Sequence, residues 1–245
     1  MTDVRRLSAS ASVMGMLGLL LVGCGTPPGQ PRKGSETLAP SDVIEFDALY
    51  ADNCAGCHGA NGRGGAAIGL ANPVYLAIVD ERAMRATIAG GVRGTSMPAF
   101  AQRAGGMLTG KQIDALLEGI RSRWSRPGVL AGANPPSYAA TSAGDVRRGQ
   151  IAYQTFCQSC HGPDGRGGPK GSAITNDSFL ALTSDQYLRT IVIAGRSDLG
   201  APDWRGYVAG RPMSDQEVTD VVSWLVSHRV SAPGQPYVTA RNDQH

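Results

Sequence analysis

Residues 54–58 read Cys54-Ala55-Gly56-Cys57-His58, and residues 157–161 repeat the pattern as Cys157-Gln158-Ser159-Cys160-His161. Both stretches have the form C-x-x-C-H. Cysteines three residues apart lie on one turn of a helix, where each can add to a vinyl group of the same haem, and the adjacent histidine can then bind the iron. The sequence therefore predicts two covalently bound haem c groups, attached through Cys54, Cys57, Cys157 and Cys160, with His58 and His161 as proximal iron ligands.

A zinc or iron–sulfur site is the main alternative for two C-x-x-C pairs, because together they hold four thiols. Structural zinc sites collect their ligand pairs within one small module, whereas these pairs lie about a hundred residues apart and each has its own histidine. A thioredoxin-like redox pair needs only one C-x-x-C beside a βαβ pattern, which leaves the duplication unexplained. Haem attachment accounts for all four cysteines and both histidines of the motifs.

The duplication extends well beyond the two motifs. Residues 54–65 read CAGCHGANGRGG and residues 157–168 read CQSCHGPDGRGG, so the glycine-rich stretch after each histidine is repeated. A tyrosine precedes each motif at the same distance, as Tyr50 and Tyr153. A repeat of this length is that of a small domain.

Each copy closes with a signal for a helix start. Residues 109–112 read TGKQ and residues 214–217 read SDQE, two capping boxes in which a hydroxyl side chain and a Gln or Glu three residues later satisfy the first backbone amides. An apolar pattern with helical spacing follows each box. Residues 126–144, rich in helix breakers, are predicted to form a linker between domains at 42–125 and 145–230.

In this order of features, each copy resembles class I cytochrome c, over residues 42–124 and 145–229. The resemblance implies an all-α fold of two tandem cytochrome c domains, each with a few helices around one covalently bound haem. It also implies that the first and last helices of each domain cross beside the haem. Those helices would be residues 42–53 and 109–124 in domain one, and residues 145–156 and 214–228 in domain two.

The sixth iron ligand is where the two copies differ. In class I cytochromes c, a Met sulfur from the loop before the last helix usually completes the iron coordination. Domain one has Met97 followed by Pro98 in that loop, so the resemblance implies Met97 as the second axial ligand of haem one. Domain two has Ala201 at the matching place, and alanine cannot bind iron.

Four other residues have open roles. Met213 could reach the iron of haem two, but it aligns with Leu108, where a hydrophobic staple on the last helix is equally expected. His228 is expected to interact with the carbonyls at the end of the last helix, with iron ligation as the alternative. Arg85 and Arg189 are expected to be solvated surface charges, with pairing to haem propionates as the alternative.

The N-terminus predicts export and anchoring. Residues 1–23 combine a basic start with a short apolar run, as in a secretory signal peptide, and the run ends in LVGC, which resembles the bacterial lipobox. In such a signal the cysteine, here Cys24, is lipidated and becomes the first residue of the mature protein. Residues 24–41, rich in Pro, Gly and polar groups, are predicted to be a flexible tether, and residues 231–245 a C-terminal tail.

The balance of charge gives no support for a nucleic-acid partner, because 23 Lys and Arg against 20 Asp and Glu leave a formal net charge of +3, which haem carboxylates would offset. The leading hypothesis is a lipid-anchored dihaem cytochrome on the periplasmic side of a bacterial membrane. It would transfer electrons between a quinol-oxidising or dehydrogenase complex and a terminal acceptor such as an oxidase. A redox protein or a membrane respiratory complex would be its partner.

The alternative hypothesis is a haem enzyme or sensor in which haem two, left open at Ala201, binds peroxide or a gas. Asp203, Arg205 and Tyr207 lie close to Ala201 in sequence and could polarise such a ligand. A third hypothesis is a subunit whose haems form a fixed electron path inside a larger membrane complex. The carrier hypothesis requires no substrate chemistry, whereas the enzyme hypothesis does.

Overall fold

The computed structural model describes residues 38–231 and Pro233. The predicted signal segment, Cys24, most of the tether and nearly all of the C-terminal tail lie outside the described residues. Within the described part the chain is helical, and its extended pairings are isolated bridges between Ala101 and Leu108 and between Arg196 and Ala201. No described helix is both long and apolar enough to cross a bilayer.

The α-helices of the described residues fall into two similar sets. Domain one contains α1 (Phe46–Asn53), α2 (Ala55–His58), α3 (Pro73–Ile78), α4 (Glu81–Gly90) and α5 (Gly110–Trp124). Domain two contains α6 (Val146–Phe156), α7 (Gln158–His161), α8 (Asp177–Leu182), α9 (Asp185–Ala194) and α10 (Asp215–Val226). The repeated order confirms the predicted all-α architecture of two tandem domains.

The last helix of each domain begins at its predicted capping box. Thr109 Oγ1 accepts a hydrogen bond from the Gln112 amide at 3.3 Å, and Ser214 Oγ accepts one from the Glu217 amide at 3.2 Å. Both boxes are complete, because the Gln112 and Glu217 side chains bond back to the cap residues. The apolar faces that follow are buried, as predicted, through Ile113, Leu116, Leu117 and Ile120 in α5 and Val218, Val221, Val222 and Leu225 in α10.

The first and last helices of each domain pack together at a close crossing that requires a glycine. In domain one, a Cβ atom on Gly119 of α5 would lie 2.0 Å from Cδ2 of Phe46 in α1. In domain two, a Cβ atom on Gly149 of α6 would lie 2.1 Å from the carbonyl oxygen of Asp220 in α10. The crossing of first and last helices is therefore present in both domains. The glycine belongs to the last helix in domain one and to the first helix in domain two.

The segment between the domains, residues 126–144, is docked on domain two. The Ser137 carbonyl accepts from Arg189 Nε at 3.0 Å, and the Ser137 amide donates to Asp215 Oδ1 at 2.8 Å. Arg189 also donates to Thr219 Oγ1 at 2.8 Å and is 2% exposed. The expectation of a solvated Arg189 is wrong, because its guanidinium joins this segment to the acidic start of α10.

Two candidate haem sites

The proximal histidine of domain one is fixed by a backbone carbonyl. His58 is the last residue of α2, is 7% exposed, and places Nδ1 2.7 Å from the Ile68 carbonyl oxygen. A histidine that donates through Nδ1 presents Nε2 as the ligand nitrogen and gains basicity at that atom. Burial lowers the pKa of His58, which keeps the ring in the neutral form that a metal ligand requires.

Domain two repeats this arrangement. His161 closes α7, and its Nδ1 lies 2.8 Å from the Ser172 carbonyl oxygen. The two carbonyls come ten and eleven residues after their histidines. Neither partner was identified from the sequence, because a backbone carbonyl can come from any residue type and leaves no side-chain signal.

The duplicated tyrosines hold the start of each glycine-rich loop. Tyr50 Oη donates to the Gly59 carbonyl at 2.8 Å, and Tyr153 Oη donates to the Gly162 carbonyl at 2.5 Å. Each accepting glycine directly follows a proximal histidine. The first of them, Gly59, has a φ of 83°, and a Cβ atom there would lie 1.8 Å from the Arg63 carbonyl oxygen. The repeated tyrosine and glycines therefore act together to fix the start of the loop that follows each histidine.

The four motif cysteines have the arrangement that haem attachment requires. Cys54 and Cys157 each end the first helix of their domain, and the second cysteine of each pair lies within the short helix that follows. None of the four is paired in a disulfide. Burial raises the pKa of the Cys54 thiol to about 11 and that of the Cys157 thiol to about 12. Two unbridged cysteines beside an imidazole held by a carbonyl are the groups that covalent haem attachment requires.

Met97 and Ala201 occupy equivalent places in two copies of one hairpin. In domain one the hairpin follows Gly91, where a Cβ atom would lie 2.8 Å from the Met97 carbonyl oxygen. In domain two it follows Gly195, where a Cβ atom would also lie 2.8 Å from the Ala201 carbonyl oxygen. The structure therefore supports the sequence alignment at the position where the copies differ, with a thioether in domain one and a methyl group in domain two.

Met213 takes the backbone position of Leu108. The Leu108 amide donates to the Phe100 carbonyl at 2.7 Å, and the Met213 amide donates to the Trp204 carbonyl at 2.9 Å. The two side chains are 4% and 2% exposed and both belong to the buried core. This equivalence supports a packing role for Met213 at the start of α10.

Two further candidates have local partners. His228 Nδ1 lies 2.8 Å from the Trp224 carbonyl oxygen, and its ring packs edge-on against the Trp224 indole at a centroid distance of 4.5 Å. The expected contact of His228 with a carbonyl of the last helix is therefore present. Arg85 forms an ion pair with Asp114 and is substantially exposed, as expected for a surface charge.

Family models match both halves of the chain. Residues 42–118 match the family described as cytochrome C oxidase, cbb3-type, subunit III, and residues 146–229 match the cytochrome c family. A curated relative is the cbb3-type cytochrome c oxidase subunit CcoP of Azospirillum sp. (strain B510), which is 33% identical over 131 residues. That match covers 49% of this chain and 39% of the subunit, so the chain spans less than half of its relative's length.

Two solved structures have a limited likeness to this chain. One is a reducing HAO-like protein complex of Kuenenia stuttgartiensis, with 19% identity, a TM-score of 0.45 and coverage of 79% of this chain and 100% of that chain. Another is the thiosulfate dehydrogenase of Marichromatium purpuratum, with 21% identity, a TM-score of 0.30 and coverage of 80% and 48%.

Two matched domains, two complete C-x-x-C-H motifs and two carbonyl-oriented histidines lead to the same conclusion. The chain is a tandem class I c-type cytochrome with two covalently bound c-type haems.

Proposed function

We propose that this cytochrome is a lipid-anchored electron carrier on the periplasmic side of a bacterial membrane, between a quinol-oxidising or dehydrogenase complex and a terminal acceptor such as an oxidase. The observation that carries the proposal is the repeated proximal site, in which His58 and His161 are each held through Nδ1 by a carbonyl. The resemblance to an oxidase subunit supports a respiratory partner.

The proposed residues act by binding and orienting. Cys54, Cys57, Cys157 and Cys160 would hold the haems by thioether bonds, and His58 and His161 would bind iron through Nε2. Bound haem supplies one-electron exchange at its iron. The Ile68 and Ser172 carbonyls keep the imidazoles in one orientation, which limits rearrangement when the charge of the site changes.

The two haems are proposed to be unequal. Met97 would be the sixth ligand of haem one, and a Met ligand raises the reduction potential of a haem. Domain two has Ala201 at that position, and we propose that Met213 packs in the core as Leu108 does. Haem two would then have a lower potential than haem one, so electrons entering at haem two would move to haem one.

The same Ala201 favours one alternative, a haem enzyme or sensor with an open position on haem two. Such chemistry requires polar groups that are free to act on a bound ligand. Asp203 and Arg205 instead bond to each other at 2.7 Å, with Arg205 also donating to the Val129 carbonyl at 3.2 Å. Tyr207 Oη donates to the Val192 carbonyl at 2.9 Å. Because these polar groups already bond within the protein, they favour the electron carrier over the enzyme or sensor.

The carrier is tested on holo protein purified from a host that matures c-type cytochromes. We expect both haems to be oxidised and reduced reversibly by small redox mediators. Peroxide turnover should not exceed that of a single-haem cytochrome c whose iron has a Met as its sixth ligand. Peroxide turnover that disappears when Ala201 is replaced by Met would contradict the carrier and establish the enzyme in its place.

Anchoring is a separate part of the proposal. Residues 1–23 would be removed as a signal peptide, Cys24 would carry the lipid, and residues 24–41 would form the tether. More than one acyl chain on a residue gives durable membrane attachment. Mass spectrometry of membrane-extracted protein should show a lipid-modified N-terminal Cys24, and Cys24→Ser should release the cytochrome from the membrane. An unmodified Cys24 in the mature protein would contradict this assignment.

A further inference from the structure

Two side chains of domain two bind the haem-attachment loop of domain one. Asp198 Oδ2 accepts from the Gly64 amide at 2.8 Å, and Arg196 Nη2 donates to the Gly65 carbonyl at 2.8 Å. The two side chains also pair bidentately with each other, with both N–O distances at 2.9 Å. They are 10% and 11% exposed, so this pair, the Arg196–Asp198 clamp, is largely shielded from water.

A buried asparagine makes a second connection beside the clamp. Asn72 Oδ1 accepts from the amides of Val74 and Tyr75 at 2.9 and 3.1 Å, which caps the start of α3 in domain one. Its Nδ2 donates to the carbonyls of Ala194 and Gly195 at 3.0 and 3.2 Å, which caps the end of α9 in domain two. One amide side chain therefore satisfies a helix end in each domain.

These contacts fall on the two loops that matter for the haems. Gly64 and Gly65 lie between His58 and Ile68, within the loop whose carbonyl orients the histidine of haem one. On the other side, the Arg196 amide and carbonyl both pair with Ala201, at the position of the missing sixth ligand of haem two. The proximal loop of one site is thus held against the distal hairpin of the other.

The clamp is a feature of domain two alone. The residues at the matching positions of domain one are Val92 and Gly94, and neither side chain can form an ion pair. The duplication therefore does not explain Arg196 and Asp198. Burying an ion pair against a neighbouring domain costs desolvation, which bidentate pairing and the two backbone hydrogen bonds offset.

We propose that Arg196 and Asp198 are positioning residues for electron transfer between the two haems. By fixing the two loops against each other, they hold the haem sites at one separation and orientation. The transfer moves one electron from the ferrous iron of one haem to the ferric iron of the other, and no bond or proton is exchanged. The inference rests on the proposed function, in that both haems belong to one electron path.

The test is pulse radiolysis of intact holo protein, which delivers less than one electron per molecule and follows its redistribution between the haems. We expect Asp198→Ala to slow the redistribution by about tenfold or more, the scale on which lost orientation slows reactions between held groups. The midpoint potentials of both haems should stay at their parent values, because neither ligand set is altered. Hydrogen exchange at the Gly64 amide should rise in the same variant.

Asp198→Asn and Asp220→Ala are the matched comparisons. Asparagine keeps one oxygen that can accept from the Gly64 amide, but it loses the charge and the second acceptor for Arg196. It should therefore restore the transfer rate in part, and it also serves if the alanine variant does not fold. Asp220 pairs bidentately with Arg148 and accepts from the Asp145 amide at 2.7 Å, all within domain two. Asp220→Ala should therefore leave the transfer rate unchanged.

The outcomes separate the two proposals. Fast redistribution in Asp198→Ala with an unprotected Gly64 amide would overturn the positioning role alone, as would equal slowing in Asp220→Ala. An absence of redistribution in the parent protein would overturn the shared electron path, and the positioning role with it.

Discussion

The carbonyls of Met97 and Ala201 accept the same hairpin hydrogen bond, from the Val92 amide at 3.0 Å and from the Arg196 amide at 3.1 Å. Their side chains therefore leave the backbone at equivalent points of the two domains. One side chain carries a sulfur that can bind iron, and the other is a methyl group. The proposed inequality between the haems rests on this difference at one backbone position.

Replacing Met97 by Ala should lower the reduction potential of haem one. Loss of the thioether removes a ligand that favours ferrous iron. A shift of tenths of a volt is expected, since axial ligands set haem potentials over about 0.8 V. Spectroelectrochemical titration of the holo protein measures it, with Met107→Ala as the control, because Met107 is 78% exposed. An unchanged potential in Met97→Ala would show that another residue ligates haem one.

Replacing Met213 by Ala should destabilise domain two without changing the spin state of haem two. A buried Met truncated to Ala costs about 2–5 kcal/mol, and Leu108→Ala should behave in the same way in domain one. Urea unfolding gives the stability, and electron paramagnetic resonance of the ferric protein gives the spin state. A low-spin signal lost specifically in Met213→Ala would make Met213 the sixth ligand and refute its packing role.

Replacing Gly119 by Ala should destabilise domain one by about 1–3 kcal/mol, the usual cost of overpacking. The added methyl would meet the Phe46 ring at the crossing of α1 and α5. Gly90→Ala is the matched control, because a Cβ atom there meets nothing within 4 Å. Thermal or urea unfolding of the two holo variants measures the difference. Equal stability of both would mean that the helices can separate at no cost.

The clamp should also contribute to acid stability. The pKa of Asp198 is lowered from its ordinary value of 3.8 to about 2, chiefly by its hydrogen bonds from Arg196. A carboxyl group with a lowered folded-state pKa stabilises the fold above its unfolded pKa, and that contribution is lost as the pH falls from about 4 to about 2. The shift corresponds to about 2 kcal/mol.

Urea unfolding of the parent and of Asp198→Asn between about pH 5 and pH 2 checks this contribution. The stability difference between the two proteins should be present at the upper end and vanish at the lower end. A difference that persists at the lower end would show that the charge of Asp198 is not its source.

Local features of this cytochrome could be predicted from sequence, and contacts between distant segments could not. The C-x-x-C-H motifs and the two capping boxes depend on residues within one or two helical turns. Arg189 was misjudged because its burial depends on the docking of Ser137 across 52 positions. The contacts of Arg196 and Asp198 with the glycine-rich loop span 131 and 134 positions, and no local pattern indicates them.

The central claim is an unequal pair of haems set by Met97 and Ala201, and a potentiometric titration of the holo protein with and without Ala201→Met tests it most directly. The parent should show two separate one-electron steps, with haem two at the lower potential. Ala201→Met should raise only the lower step, because it places a thioether at the hairpin position that Met97 occupies in domain one. Two coincident steps in the parent, or a lower step that Ala201→Met leaves unmoved, would contradict the account.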